Sequence, residues 1–154
     1  MKRILGRAAA VAAAVTLAGA GAMLAAGPAS ASTGTNISSW TSGYCLHGSG
    51  DLYCLWYLQG AGTGGAGWGS QSMGTPTITG TFNIAVPGNS DTGFGLAVRN
   101  NAESLSNGSS VCYATTFVSP GYTGNWNYVA PSMAGNLNSA LINNEASIEL
   151  DTCS

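Results

Sequence analysis

Positive charge is nearly absent from this chain once its first residues are passed. Of the four basic residues, Lys2, Arg3 and Arg7 stand at the N-terminus and only Arg99 follows, against Asp51, Asp91, Glu103, Glu145, Glu149 and Asp151. Neutralising phosphates takes clustered Lys and Arg, so nucleic-acid binding is excluded, and anionic membrane surfaces are poor partners for the same reason. Histidine is equally scarce. With His47 alone, a three-histidine zinc site cannot form and at most one imidazole is available for acid–base work. No G-x-S-x-G elbow marks a nucleophile that His47 would activate, and its setting between Cys45 and Asp51 in a Gly- and Ser-containing loop reads as an exposed loop residue. No catalytic residue is assigned, and the chain reads as a non-enzyme. The six carboxylates are scattered, without the facing pair a glycosidase needs, and read as solvated surface. A glycine-dense stretch from Gly60 to Gly74 is followed by no Lys and lacks a strand-to-helix context, so it is a loop or bulged hairpin rather than a phosphate cradle. Helical periodicity is not evident anywhere past residue 31.

What is present begins with an export signal. Residues 1–31 carry the three basic residues, a long Ala-, Val- and Leu-rich run and Ala29-Ser30-Ala31, the pattern of a cleaved secretory signal peptide, with no membrane attachment after cleavage; an uncleaved membrane anchor is the alternative, weakened by Gly19, Gly21, Gly27 and Pro28. The remaining 123 of 154 residues hold Arg99 against six acids, a formal charge of −5. They suit one domain with a single core. Residues 32–44 form an N-terminal lead-in and residues 45–154 the domain. Its four cysteines, Cys45, Cys54, Cys112 and Cys153, argue for two disulfides in an oxidising compartment. Three connectivities are open. Pairing Cys45 with Cys54 and Cys112 with Cys153 keeps each bridge within one half of the domain. A zinc site is the competing reading, but the spacing lacks paired Cys-x-x-Cys.

Short strands are expected at Leu52–Leu58, Thr77–Val86, Phe94–Val98, Ser104–Ser106, Val111–Val118, Asn127–Val129 and Ser147–Leu150, separated by frequent turn signals. In Thr77–Val86, Ile78, Phe82, Ile84 and Val86 share one parity, the mark of a half-buried strand. Tyr53, Trp56, Tyr57 and Trp68 read chiefly as core anchors. The pattern is that of an all-β sandwich or Greek-key arrangement.

An internal repeat organises these strands. Asn100-Asn101-Ala102-Glu103-Ser104-Leu105 and Asn143-Asn144-Glu145-Ala146-Ser147-Ile148 match, dividing the domain into repeats of about 45–107 and 108–154. Paired Asn tolerates left-handed backbone, the Ser hydroxyl can bond back to the turn, and the apolar residue resumes a strand. Each copy predicts a turn followed by a strand. Asn oxygens, Ser hydroxyls and loop carbonyls are also the hard ligands that calcium takes, although both copies open with neutral Asn.

These features, with Phe117-Val118-Ser119-Pro120-Gly121-Tyr122-Thr123-Gly124 and the early Cys-to-Cys loop, resemble the βγ-crystallin superfamily. More narrowly, they are similar to the secreted actinobacterial proteins of peptidase inhibitor family I36. The resemblance covers about Cys45 to Cys153. In that superfamily an aromatic, four residues, an aromatic, one residue and a glycine form a folded hairpin; Phe117, Tyr122 and Gly124 match, as do Tyr57 and Gly64, with Gly62 in place of the second aromatic. Its calcium signature matches Asn100, Asn101 and Ser104, and Asn143, Asn144 and Ser147, while Leu105 and Ile148 replace the final serine. The resemblance implies a disulfide-stapled sandwich of two Greek-key motifs and inhibition of an extracellular metallopeptidase by a rigid loop. No inhibitory residue carries over, because the reactive loop of the family is bridged in its second half, where this chain has only Cys112 before Cys153. Leu46 to Tyr53, closed by the first disulfide, is the candidate contact. No cofactor is required. A calcium-binding or structural extracellular module is the alternative.

Overall fold

A computed structural model describes residues 34–36, 40–41, 45, 50–61, 65–85 and 91–154. Residues 1–31, read above as a signal segment, residues 46–49 with His47, Gly62, Gly64 and Val86 lie outside the described residues.

Regular structure among the described residues is all strand: β1 (Gly34–Asn36), β2 (Trp40–Thr41), β3 (Tyr53–Trp56), β4 (Gly67–Ser70), β5 (Gly74–Thr75), β6 (Ser104–Asn107), β7 (Tyr113–Ser119), β8 (Thr123–Val129), β9 (Met133–Asn136) and β10 (Ser147–Asp151). They form two sheets, in the orders β1-β8-β7-β10-β5 and β2-β9-β6-β3-β4. All pairings are antiparallel except that of β1 with β8. The lead-in thus places one short strand beside each sheet.

The duplication is visible in this order. If β3, β4, β5 and β6 are matched with β7, β8, β9 and β10, the sheet β9-β6-β3-β4 maps onto β5-β10-β7-β8. Three strands of each sheet come from one repeat and the fourth from the other. Neither repeat can complete its sheet alone, so the halves interlock.

Between the sheets lies a core that includes Tyr53, Leu55, Ile78, Phe82, Val98, Leu105, Val129, Leu141 and Ile148, each fully or almost fully buried. Tyr57 and Trp68 pack against it in part, while Tyr53 and Trp56 are enclosed, which agrees with the anchoring role read from the sequence. The disulfides join Cys45 to Cys54 and Cys112 to Cys153, the within-repeat pairing. Two disulfides accord with an oxidising environment. Among the described residues no helix is long and apolar enough to cross a membrane.

Two strand expectations need correction. Ile78, Phe82 and Ile84 are buried as their parity predicts, but residues 77–85 make only isolated bridges at Thr81 and Ile84 instead of a continuous ladder. Phe94–Val98 is a pair of turns: the amide of Phe94 donates to Asp91 and that of Leu96 to Gly93, leaving only Val98 buried. Of the two readings of the glycine-dense stretch, loop or bulged hairpin, the hairpin is found: β4 lies inside the stretch and pairs antiparallel with β3. Its glycines carry no apolar signal because their lack of a side chain is what admits a neighbour: a Cβ on Gly67 would stand 2.5 Å from the Trp56 ring.

Candidate functional site

Both Asn pairs form turns leading into strands. Asn100 and Asn143 take left-handed φ of 63° and 55°, and β6 and β10 begin four residues after each. The turns meet across the interface of the repeats: the Asn100 amide donates to the Glu145 carbonyl at 3.0 Å, and the Asn143 amide to the Ala102 carbonyl at 2.9 Å. These are equivalent bonds, one from each half.

Glu145 breaks the equivalence. It occupies the position of Ala102 in the other repeat, and it is fully buried, which corrects its reading as a solvated surface acid. Its Oε1 accepts the amides of Asn101 at 3.0 Å and Ala102 at 2.9 Å, whereas Oε2 has no partner. Burial pushes the carboxyl up to about 7, and the surrounding backbone amides of Glu145, Ala102, Asn101 and Asn144 only partly offset it. The signal for this in the sequence was the mismatch of Glu against Ala between aligned repeats.

The two repeat serines are equivalent in bonding. Ser104 donates to the Leu58 carbonyl at 2.6 Å and accepts the Ala61 amide at 3.0 Å; Ser147 donates to the Ser119 carbonyl at 2.6 Å and accepts the Tyr122 amide at 3.1 Å. Each hydroxyl ties a final strand to the turn after the first strand of its repeat. Both serines are fully buried and engaged with backbone. Of the six residues matching the calcium signature, the Asn side chains are the ones nearer solvent. Asn101 donates to Ala97 and Arg99 carbonyls, Asn144 to the Ala140 carbonyl, and Asn143 to Glu103 Oε1 at 3.4 Å. Among the described residues no group of three or more His, Cys, Asp or Glu could hold a metal ion.

The serines also set the hairpin alignment. Trp56 pairs with Ser104 and Phe117 with Ser147, so Trp56, not Tyr57, is the counterpart of Phe117, and Ala61 that of Tyr122. The left-handed φ of Ala61 (37°) and Tyr122 (60°) follows this alignment. In the second repeat the Phe117 and Tyr122 rings meet at 5.9 Å, and a Cβ on Gly124 would press to 2.6 Å from Val118. The motif spacing in the first repeat is displaced by one residue because Gly60 to Gly69 offer several glycines that fit it.

One exposed feature is built rigidly. Phe94 and Leu96 are 53% and 47% exposed on the turns of residues 91–97. The backbone there is held to the body of the domain: Gly95 donates to the Phe82 carbonyl, Phe82 to the Leu96 carbonyl, and Ala66 to the Thr92 carbonyl, all at 2.8 to 2.9 Å. Comparisons of the chain with family models, with curated proteins and with solved structures find no match.

Proposed function

We propose that this chain is a secreted, non-enzymatic βγ-crystallin-like domain that inhibits an extracellular metallopeptidase. The strand order supports the architectural part. Two four-strand units, each lending its third strand to the other's sheet, are the arrangement expected of two interlocked Greek keys.

The observation that carries the inhibitory part is the 91–97 loop. Two large apolar side chains with Gly95 between them stand in solvent on a backbone already hydrogen-bonded in place. A loop ordered before binding loses less entropy on entering a cleft, and Phe and Leu suit an apolar specificity pocket. The loop replaces Leu46 to Tyr53 as the favoured contact, since Tyr53 is fully buried and 46–49 lie outside the described residues. The test is a rate assay of thermolysin-like and serine peptidases with the purified protein. Slowing of a metallopeptidase, abolished by a Phe94→Ala/Leu96→Ala double variant, is the expected result. Absence of slowing for every peptidase at micromolar protein refutes the proposal.

Calcium ordering of the Asn turns is a second reading, favoured by one contact. Glu103 of the first repeat brings an anionic oxygen to Asn143 of the second, which adds the charge that the neutral Asn pairs lack. Calorimetric titration decides it: no heat and no rise in melting temperature at millimolar calcium removes this reading.

A further inference from the structure

The outer faces of the two sheets have diverged between the repeats. Outside β3 and β4 stand Cys54, Gly67 and Gly69, registered against one another and against Trp56. The glycines leave room for the Trp56 ring and for Cys54, so this face is filled by a second apolar cluster of Cys54, Trp56, Ala61, Ile84 and Ala134. At the equivalent positions of β7 and β8 stand Thr115, Trp126 and Tyr128. Here the glycines have become aromatics that rise from the sheet, and the buried apolar clusters of the described residues do not include Trp126 or Tyr128.

The result is an open cavity of about 350 Å³ lined by Tyr113, Thr115, Trp126, Tyr128, Asp151 and Thr152. That is at the small end of the range for ligand pockets. Its rings do not form a flat platform. Tyr113 and Tyr128 meet edge-on at 71° with centroids 5.5 Å apart, and Trp126 and Tyr128 are tilted by 36° at 5.6 Å. Angled walls surround a guest, whereas a sugar ring stacks best on one plane. Asp151 closes the side, its carboxylate held by a 3.0 Å hydrogen bond from the Thr115 hydroxyl. Among the described residues none that lines it is basic.

The geometry points to a site for a cationic side chain, an arginine or lysine presented by a partner polypeptide, enclosed by Tyr113, Trp126 and Tyr128 and paired with Asp151. Ring faces attract a cation through their quadrupole, most strongly when water is partly excluded, and the carboxylate supplies the counter-charge. The local field has the right sign beyond Asp151. Glu149 lies two residues earlier on the same strand, and burial, then the charge of Asp151, push its carboxyl above the ordinary range. A bound cation relieves that repulsion. Arg99, the one basic residue past residue 31, does not line the cavity, which leaves another molecule as the source of the guest. The site is separate from the 91–97 loop and does not depend on the inhibitory reading.

Titration of the isotopically labelled protein by NMR tests this, using Nα-acetyl-arginine amide, its neutral isostere Nα-acetyl-citrulline amide, and a neutral disaccharide. The expected result is saturable movement of the Tyr113, Trp126, Tyr128 and Asp151 amides with the arginine probe alone. Affinity should fall about tenfold in Asp151→Asn, the loss of one charge pair in a half-enclosed site, and comparably in Tyr128→Ala, with the remaining spectrum unchanged in both. Equal binding of the citrulline probe, binding of the disaccharide in preference, or no saturation by the arginine probe at tens of millimolar overturns the assignment. So does an Asp151→Asn variant that binds arginine as well as the parent.

Discussion

Stability should fall as pH rises through the neutral range, and Glu145 is the reason. Its carboxyl is buried between the two Asn turns with Oε2 unpartnered, and its folded-state value is raised from 4.5 to about 7. An acid raised on folding holds its proton more tightly in the native state than in the unfolded one. Its contribution is therefore complete below pH 4.5 and is lost as pH climbs through about 7. The difference between those values corresponds to about 3 kcal/mol, or roughly 10 °C in melting temperature for a domain of this size. The perturbation is Glu145→Gln, which preserves the acceptor for the Asn101 and Ala102 amides. Its side-chain N–H₂ replaces the unpartnered oxygen and costs about 1–3 kcal/mol at every pH, so the slope with pH is diagnostic and the absolute level is not. Melting should be followed by circular dichroism from pH 4 to pH 8. The parent protein should lose stability across this range, and the variant should keep only the smaller decline due to Glu149, whose carboxyl is also raised, by burial and then by Asp151. A parent curve that is flat or rises, or a variant with the same slope as the parent, refutes the reasoning.

The remaining predictions concern the staples of each repeat. Ser147→Ala and Ser104→Ala each remove a buried hydroxyl that links a turn to a strand and leave an amide and a carbonyl without it; each should cost about 1–3 kcal/mol in urea denaturation, and a loss within error of zero would show that the turns hold by themselves. Cys112→Ser with Cys153→Ser opens a loop with a sequence separation of 41, which should lower stability by about 4 kcal/mol. The corresponding Cys45–Cys54 pair, with a separation of 9, should lower it by about 2.5 kcal/mol. The reverse order, measured under identical oxidising conditions, would contradict the chain-entropy account.

Legibility in the sequence followed the range of the interaction responsible. The Asn turns were readable because left-handed backbone is a local preference of the residue, and Ile78 and Phe82 because alternation marks a buried face even where the ladder is broken. The cysteine pairing was legible from the repeat boundaries. β4 was not, since glycines that make room for Trp56 look like loop glycines until Trp56 is in place. Phe94–Val98 misled in the opposite sense: its apolar residues suggest a strand, but Gly93 and Gly95, with φ of 89° and 82°, turn the backbone and carry Phe94 and Leu96 outward.

The sequence by itself determined the all-β class, the duplication, the strong negative bias of the chain past residue 31 and the turn-to-strand geometry of both Asn motifs. All of these follow from composition or from forces that act within a few residues. Tertiary structure alone decided that the halves exchange strands, that Glu145 is buried while Asn143 and Asn144 just before it are exposed, and that Tyr113, Trp126, Tyr128 and Asp151 share one cavity. Each of these depends on contacts between residues of β7, β8 and β10 or between the two repeats, and in an open sheet such proximity is set by strand order, which no local preference encodes.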